Sequence, residues 1–269
     1  MKYLNRKYRS VYKYSRIDNA ISSLEGGYLY FSKPQNWPDP TEKALYGAKY
    51  KSKDGTLIEC PTVYAFCITK SQASDAAWTV YQHLTKEEEN RAKANGKEIC
   101  RGCVKLSIKF DSLLKQIELW VNEQREIGIE YDFYYGEVSY YDWKKIRAIQ
   151  NSDSEMQKLV LDPNVSFIEN YLRILLLKRD AYEYENEIRL FLVKRKSNNE
   201  EPSLRVNIQW NECLNKYIYY GEECEDKDIK KLRQTCVGLS SEFKIKSSTL
   251  GKPRKNVEIN MGSEYQKLV

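Results

Sequence analysis

Three carboxylates and a guanidinium stand at every second position late in the chain: Glu183, Glu185, Glu187 and Arg189. Period-two spacing puts such residues on one face of a β-strand, about 6 to 7 Å apart. Carboxylates at that separation raise one another's pKa when the face is partly buried, and the arginine offers a compensating charge. The pattern indicates an acid–base or electrostatic site with Glu185, Glu187 and Arg189 as candidate catalytic residues. The alternative is a solvated strand face with a surface salt bridge.

The sequence contains 22 tyrosines and one histidine, His83. Ser-His-Asp hydrolysis, histidine-rich zinc sites and histidine relays all need imidazoles, so any catalysis rests on carboxylates, tyrosines, arginine or cysteine. Tyrosines cluster at 131–141, where they could stack bases or a nicotinamide ring, although half-buried strand packing is the more common use. We expect His83 to be a packed or surface residue rather than a base.

Seven cysteines include the pair Cys100 and Cys103, spaced as in zinc knuckles and redox motifs. A zinc site needs a second suitable pair, and a thioredoxin-like site needs a helix directly after the motif, whereas a strand is predicted here. We therefore expect two ordinary thiols and no metal site. The odd number of cysteines and the basic, polar start predict a reducing cytoplasm. The longest aliphatic run, 174–177, is far too short to span a bilayer, so no membrane segment is predicted.

The composition is that of a soluble globular protein, with 269 residues, 41% of them hydrophobic, 30% charged and a net charge of +6. This excludes disordered, collagen-like and coiled-coil classes, and it permits a nucleic-acid partner without requiring one. No stretch is rich enough in proline, glycine or serine to divide the chain. The sequence therefore predicts one domain over 1–269.

Short strands and amphipathic helices alternate without a fixed repeat, which predicts an α+β fold with a mixed, mainly antiparallel sheet and flanking helices. A strand at 10–14, a helix ending at Gly26-Gly27 and a strand at 28–32 open the chain. In the loop that follows, three prolines prevent regular hydrogen bonding and display Trp37 and Asp39. Later strands are predicted at 62–68, 103–110, 182–190, 204–208, 216–220 and 242–246, and a strand or hairpin is predicted at 131–141. Helices are predicted at 73–84, from Asp111, from Asp162 and at 227–237, with 85–97 a solvated helix or loop.

Several short segments follow one another in an order and spacing that resembles the bacterial family named domain of unknown function 2971, over Tyr12 to about Leu232. Two departures stand out: Trp37-Pro38-Asp39-Pro40 replaces the family's Phe-Asn-Asp-Pro, and Tyr182 replaces its tryptophan. The segments are Tyr12-Lys13-Tyr14, Leu29-Tyr30-Phe31-Ser32, Trp37-Pro38-Asp39-Pro40-Thr41-Glu42, Trp78-Thr79-Val80-Tyr81, Gly102-Cys103-Val104, Val138-Ser139-Tyr140, Lys178, Tyr182 to Arg189 and Ile218-Tyr219-Tyr220-Gly221.

This resemblance implies an α+β fold found in bacteria, often near mobile or defence-associated genes, and implies no reaction. The opening strand, helix and strand with a late Glu-x-Glu also resemble the ADP-ribosyltransferase superfamily. There, an early Arg, His or Tyr and a Ser or Tyr on the second strand hold NAD, and a late Glu binds the ribose hydroxyl and stabilises an oxocarbenium-like transition state. By position, that resemblance implies Tyr12 or Tyr14 as the first element, Tyr30 or Ser32 as the second and Glu187 as the last.

Asp39, Trp78 and Tyr81 fall at positions of the family pattern and complete the candidate cofactor-binding set. The leading hypothesis is an NAD-dependent ADP-ribosyltransferase-like effector or toxin in anti-phage defence. A non-catalytic binding or sensor module for a protein or nucleic-acid partner is one alternative. A metal-dependent nuclease using Asp39, Glu185 and Glu187 is another, which no compact metal-ligand motif supports.

Overall fold

The computed structural model describes residues 8–37, 39–51, 54–82, 90, 94, 101–151, 154–194 and 201–248. His83, Cys100 and most of 85–97 lie outside the described residues. The strands are β1 (Ser10–Arg16), β2 (Tyr28–Ser32), β3 (Tyr50–Lys51), β4 (Leu57–Ile58), β5 (Thr62–Thr69), β6 (Cys103–Lys109), β7 (Tyr131–Glu137), β8 (Ser139–Tyr141), β9 (Leu177–Arg179), β10 (Glu187–Lys194), β11 (Ser203–Asn207), β12 (Leu214–Tyr220) and β13 (Lys244–Ser247).

Helices flank these strands, and two short 3₁₀ helices, Pro34–Asn36 and Asp180–Glu185, interrupt the loops. The α-helices are α1 (Ile17–Gly26), α2 (Pro40–Tyr46), α3 (Asp75–Gln82), α4 (Phe110–Glu126), α5 (Trp143–Gln150), α6 (Ser154–Lys158), α7 (Phe167–Ile174), α8 (Trp210–Cys213) and α9 (Asp226–Leu239).

The main sheet has nine strands among the described residues, and its pairings are antiparallel except for β12 with β13. The predicted α+β class with a mainly antiparallel sheet and flanking helices is thereby confirmed. Two small two-stranded sheets, β3 with β4 and β8 with β9, lie apart from it.

The main sheet forks at β5. Along its whole length β5 pairs with β10, which in turn pairs with β7. In addition β5 pairs with β2 at Ser32↔Ala65 and with β1 at Tyr12↔Thr69. β1 and β2 therefore pair with different parts of β5. They diverge from each other beyond these contacts.

Hydrophobic side chains fill both faces of the sheet, because strands covered on both sides need apolar residues at successive positions. In β10 the residues from Glu187 to Val193 are all buried. Ile188, Leu190 and Leu192 face a large core that includes side chains of α1, α4 and α9. Phe191 and Val193 face a second core shared with α7.

The opening strand–helix–strand unit forms as predicted. In α1 the buried residues Ile17, Ala20, Ile21 and Leu24 recur at helical spacing, so one face packs on the sheet. The helix ends at Gly27, which has φ of 62° and lets the chain turn directly into β2.

Three sequence predictions are wrong in detail. The stretch 131–141, predicted as a strand or hairpin, forms two strands that do not pair with each other, because β7 pairs with β10 and β8 pairs in parallel with β9. The proline loop does not display Trp37 and Asp39, since both residues are buried. Asp39 is the N-cap of α2 and accepts a hydrogen bond from the Thr41 amide, because Pro40 fits the first turn of that helix. The helix expected from Asp162 begins at Phe167, where Ser166 and Glu169 form a capping box.

The prediction of a strand over 182–190 is also wrong in its first half. Residues Asp180–Glu185 form a 3₁₀ helix, and Asn186 then takes the left-handed conformation, with φ of 49° and ψ of 48°. Asparagine tolerates that conformation better than most residues, so it can end the turn and start β10 at Glu187. Only Glu187 and Arg189 share a strand face. None of the described helices has the length and apolar character that crossing a bilayer requires.

Candidate functional site

A cleft of about 620 Å³ lies where β1 and β2 diverge. Its walls come from β1, α1, β2 and α3, and Phe66 of β5 also lines it. In the same fork the Cys67 carbonyl oxygen accepts a hydrogen bond from Lys13 Nζ at 2.9 Å. Aromatic residues and three cations lie among the lining residues: Tyr14, Tyr28, Tyr30, Phe66, Tyr81 and Trp210, with Lys13, Arg16 and Arg205.

The cations of the cleft are held by aromatic and polar neighbours. Lys13 Nζ lies 5.0 Å from the ring centroid of Phe66, and the guanidinium of Arg205 lies 4.7 Å from that of Tyr28. Arg16 Nε donates to Asp18 Oδ1 at 3.1 Å. Planar rings beside positive charge suit a ligand that carries both aromatic bases and phosphates.

Beside the cleft, a buried ionic network joins β10 to β9. Lys178 Nζ donates to Glu187 Oε2 at 3.0 Å and to Glu185 Oε2 at 2.6 Å. Arg189 Nε donates to Glu187 Oε1 at 2.9 Å, and its Nη2 donates to Glu187 Oε2 at 3.1 Å. Arg189 Nη2 also donates to Glu42 of α2, whose carboxylate is buried. Three carboxylates thus share two cations.

Arg189 is the most enclosed member of this network, with 1% of its surface exposed. Its guanidinium lies 4.2 Å from the ring centroid of Trp37, and Nη1 donates to the Leu175 carbonyl oxygen. All three of its nitrogens therefore have acceptors, which a buried guanidinium needs. The predicted catalytic residue Arg189 holds the network together and is not among the residues that line the cleft.

The two carboxylates of the Glu-x-Glu motif have opposite pKa shifts. Burial alone would raise the pKa of Glu187, but Arg189 and Lys178 hold it well below its usual range. Burial raises the pKa of Glu185, and Lys178 only partly opposes the rise. The Glu185 side chain is 32% exposed and that of Glu187 is 6% exposed. Glu185 is therefore the more exposed carboxylate of the pair, and neither glutamate is among the residues that line the cleft.

Tyr81 connects the cleft with this pair of carboxylates. It lines the cleft from α3, and 39% of the residue is exposed. Burial around its hydroxyl raises the pKa of Tyr81, and the proximity of Cys67, Glu185 and Glu187 raises it further. Lys13 of β1, which also lines the cleft, has its pKa lowered by burial, an effect that Cys67, Glu187 and Glu185 oppose. The electrostatic field of the carboxylates therefore reaches two residues of the cleft lining.

The predicted cofactor-binding residues divide into two groups. Tyr14, Tyr30 and Tyr81 line the cleft, and Tyr30 is 52% exposed there. The others serve the framework instead: Tyr12 lies under Lys105, Ser32 sits at the β2–β5 contact, Asp39 pairs with Arg179 at 3.2 Å, and Trp78 packs edge-on against Tyr14 at 5.3 Å.

Sequence reasoning did not select Lys13, Arg205, Lys178 or Glu42 as site residues. A signal existed for Lys13, because it shares a strand face with Val11, which packs in the core. None existed for Arg205, which alternates with buried Leu204 and Val206 as any solvent-facing residue would.

Within the Cys100–Cys103 motif, tight packing explains why a glycine stands at position 102. Gly102 has φ of 97°, and a Cβ there would lie 2.5 Å from Cys224 Sγ. Burial raises the pKa of Cys103 to about 12, so this thiol is protonated at neutral pH. Within the described residues no group of three or more His, Cys, Asp or Glu side chains could hold a metal ion.

No family model and no curated protein matches the sequence. Three solved structures of DarT from Thermus sp. 2.9 match the chain, each with low sequence identity and a low TM-score. The complex with ADP-ribosylated single-stranded DNA is 11% identical, with a TM-score of 0.28 and 92% of this chain and 96% of that chain covered. The complex with NAD⁺ is 9% identical, with a TM-score of 0.28 and 91% and 98% covered. The complex with carba-NAD⁺ is 11% identical, with a TM-score of 0.26 and 90% and 95% covered.

Proposed function

We propose that the chain is an ADP-ribosyltransferase-like enzyme that takes NAD as its substrate in the cleft between β1 and β2. The observation that carries the proposal is the position of Tyr81, which lines the cleft and also lies in the field of Glu185 and Glu187. The cleft, for which we propose a role in binding bases and phosphates, therefore has a lining residue within electrostatic range of the carboxylate pair.

NAD fits the lining by chemistry. It carries two aromatic bases, for which Tyr30 and Tyr81 offer partly exposed rings. Its pyrophosphate is an anion, for which Lys13, Arg16 and Arg205 offer positive charge. These are the interactions by which proteins hold dinucleotides without a metal.

The carboxylates supply two functions that transfer requires. Nicotinamide leaves with the electron pair of its bond to the ribose, the ribose carbon becomes positively charged, and the acceptor forms the new bond and releases a proton. Glu187, held ionised by Arg189 and Lys178, supplies a fixed negative charge and positions Lys178. Glu185, whose pKa is raised, contacts the substrate and accepts the proton.

The test is release of nicotinamide from NAD, with and without bacterial lysate as the source of acceptor. We expect Glu185→Gln to lower the rate by about 100-fold or more, as removal of one electrostatic contact to a transition state does. Glu183→Gln is the matched control, because Glu183 is exposed on the same 3₁₀ helix, and it should keep the rate of the native protein.

Equal rates for the native protein and Glu185→Gln, with equal melting temperatures, contradict the proposal. No release by either protein favours the non-catalytic binding module. Labelled NAD then distinguishes acceptors: label that enters a protein or nucleic-acid fraction of the lysate supports an effector or toxin, whereas free ADP-ribose indicates hydrolysis alone.

A further inference from the structure

We propose that a second groove, at the far end of the sheet, binds single-stranded nucleic acid. This groove, the basic groove below, has a volume of about 510 Å³ and lies among β12, β13 and α9. It shares no lining residue with the cleft between β1 and β2. The proposal is therefore independent of the proposed NAD reaction.

Four cations and no carboxylate line the basic groove: Lys216, Arg233, Lys244 and Lys246. All four are exposed. Elsewhere on α9 two lysines have acidic partners, since Lys227 lies 3.1 Å from Glu225 and Lys231 lies 3.8 Å from Glu25. In the described part of the chain no ion pair neutralises the four groove cations. Their charge is available to an anionic partner.

An aromatic ring lies among these charges. Tyr217 is 37% exposed, and Lys246 Nζ lies 4.0 Å from its ring centroid. Val237, 65% exposed, and Phe243 add apolar surface to the same groove. An exposed ring can stack on an unpaired base, which every nucleotide offers, while the cations follow the phosphates.

This combination favours a single strand over the other anionic partners. In a duplex the base faces are stacked on each other, so Tyr217 would have nothing to stack on. An acidic peptide would satisfy the lysines and leave the ring and Val237 without a partner. A single-stranded nucleic acid uses both parts of the basic groove.

The experiment measures fluorescence anisotropy of a labelled oligothymidylate and oligouridylate over a series of salt concentrations. We expect binding by the full chain that weakens with salt, with a log–log slope of roughly −0.7 per neutralised phosphate. The double variant K244Q/K246Q should flatten that slope by about 1.4. Removing exposed Lys115 and Lys144 on other helices as K115Q/K144Q changes the net charge equally and should leave the slope as it is.

The ring has its own pair of variants. Tyr217→Ala should weaken binding about tenfold. Tyr217→Phe, which keeps the ring that stacks on a base, should bind as the native protein does. Equal losses in K115Q/K144Q and K244Q/K246Q overturn the site, because they show a diffuse effect of net charge. Equally tight binding of a duplex or of polyglutamate overturns the single-strand preference. Thermal melts check that each variant is folded.

Discussion

Glu187 and Arg189 stand two residues apart on β10 and are joined by two parallel hydrogen bonds, Nε to Oε1 at 2.9 Å and Nη2 to Oε2 at 3.1 Å. Both side chains are almost completely buried. A bidentate pair of this kind fixes the plane of the carboxylate and the plane of the guanidinium together. Removing either partner leaves the other charged in the core with one compensating charge fewer, because Glu187 would keep only Lys178 and Arg189 would keep only Glu42.

Replacing Arg189 by methionine should therefore destabilise the fold strongly. Met fills much of the same volume, but Glu187 and Glu42 would lose their shared partner, and breaking a buried pair costs about 3 to 5 kcal/mol. Urea unfolding measures the difference. The control is Arg173→Met, whose ion pair with Asp162 is partly solvated and should contribute at most about 1 kcal/mol. Similar losses in both variants would contradict the structural role of Arg189.

Stability should depend on pH through Glu187. Its folded pKa lies below its ordinary value of 4.5, so in the folded state it stays ionised at a pH where the unfolded chain takes up a proton. Its contribution is complete above that ordinary pKa and is lost as the pH falls toward the folded pKa. Unfolding free energies measured at several acidic pH values should fall more steeply for the native protein than for Glu187→Gln. Parallel curves would show that Glu187 does not titrate in this way.

Tyr30 tests the cleft separately from the carboxylates. Because its ring is half exposed on the wall of the cleft, Tyr30→Ala should leave the melting temperature almost unchanged. It should raise the KM for NAD by about tenfold, as loss of one stacking partner does. Tyr30→Phe should behave as the native protein. A fall in kcat with unchanged KM in Tyr30→Ala would argue against a role in binding the base.

Gly102 is expected to be irreplaceable for packing reasons. In Gly102→Ala the added methyl would lie 2.7 Å from the Cys224 backbone nitrogen, at a φ of 97° that side chains disfavour. We expect a loss of more than about 2 kcal/mol in unfolding free energy. Gly238→Ala is the matched comparison: it meets nothing within 4 Å in α9 and should be neutral or stabilising by up to about 1 kcal/mol.

The elements built from local patterns were predictable. Apolar spacing and Gly27 specify α1 and its end, and β-branched and aromatic residues specify β5. The site was predictable only in part. The sequence selected Glu185 and Glu187, but it placed them on one strand. Alternating residues also occur in a 3₁₀ helix followed by a strand, and only Asn186 indicated where the helix ends and the strand begins.

Long-range pairing explains what local patterns missed. Glu42 and Arg189 are separated by 147 positions in the chain, and nothing in either neighbourhood marks them as partners. The fork at β5 also depends on long-range pairing, because both β1 and β2 pair with the same edge of β5. Such choices are made by the whole core, so they are invisible to any window of a few residues.

Lys178 has two carboxylate partners side by side, and this makes one of them exchangeable. If the Glu185 side chain moves toward a ligand, Glu187 still accepts a hydrogen bond from Lys178 Nζ at 3.0 Å. The buried ammonium group then keeps an ionic partner. A rearrangement that would otherwise carry a large electrostatic penalty becomes a change of one hydrogen bond. The buried contact between Lys178 and Glu187 thus allows the more exposed Glu185 to move.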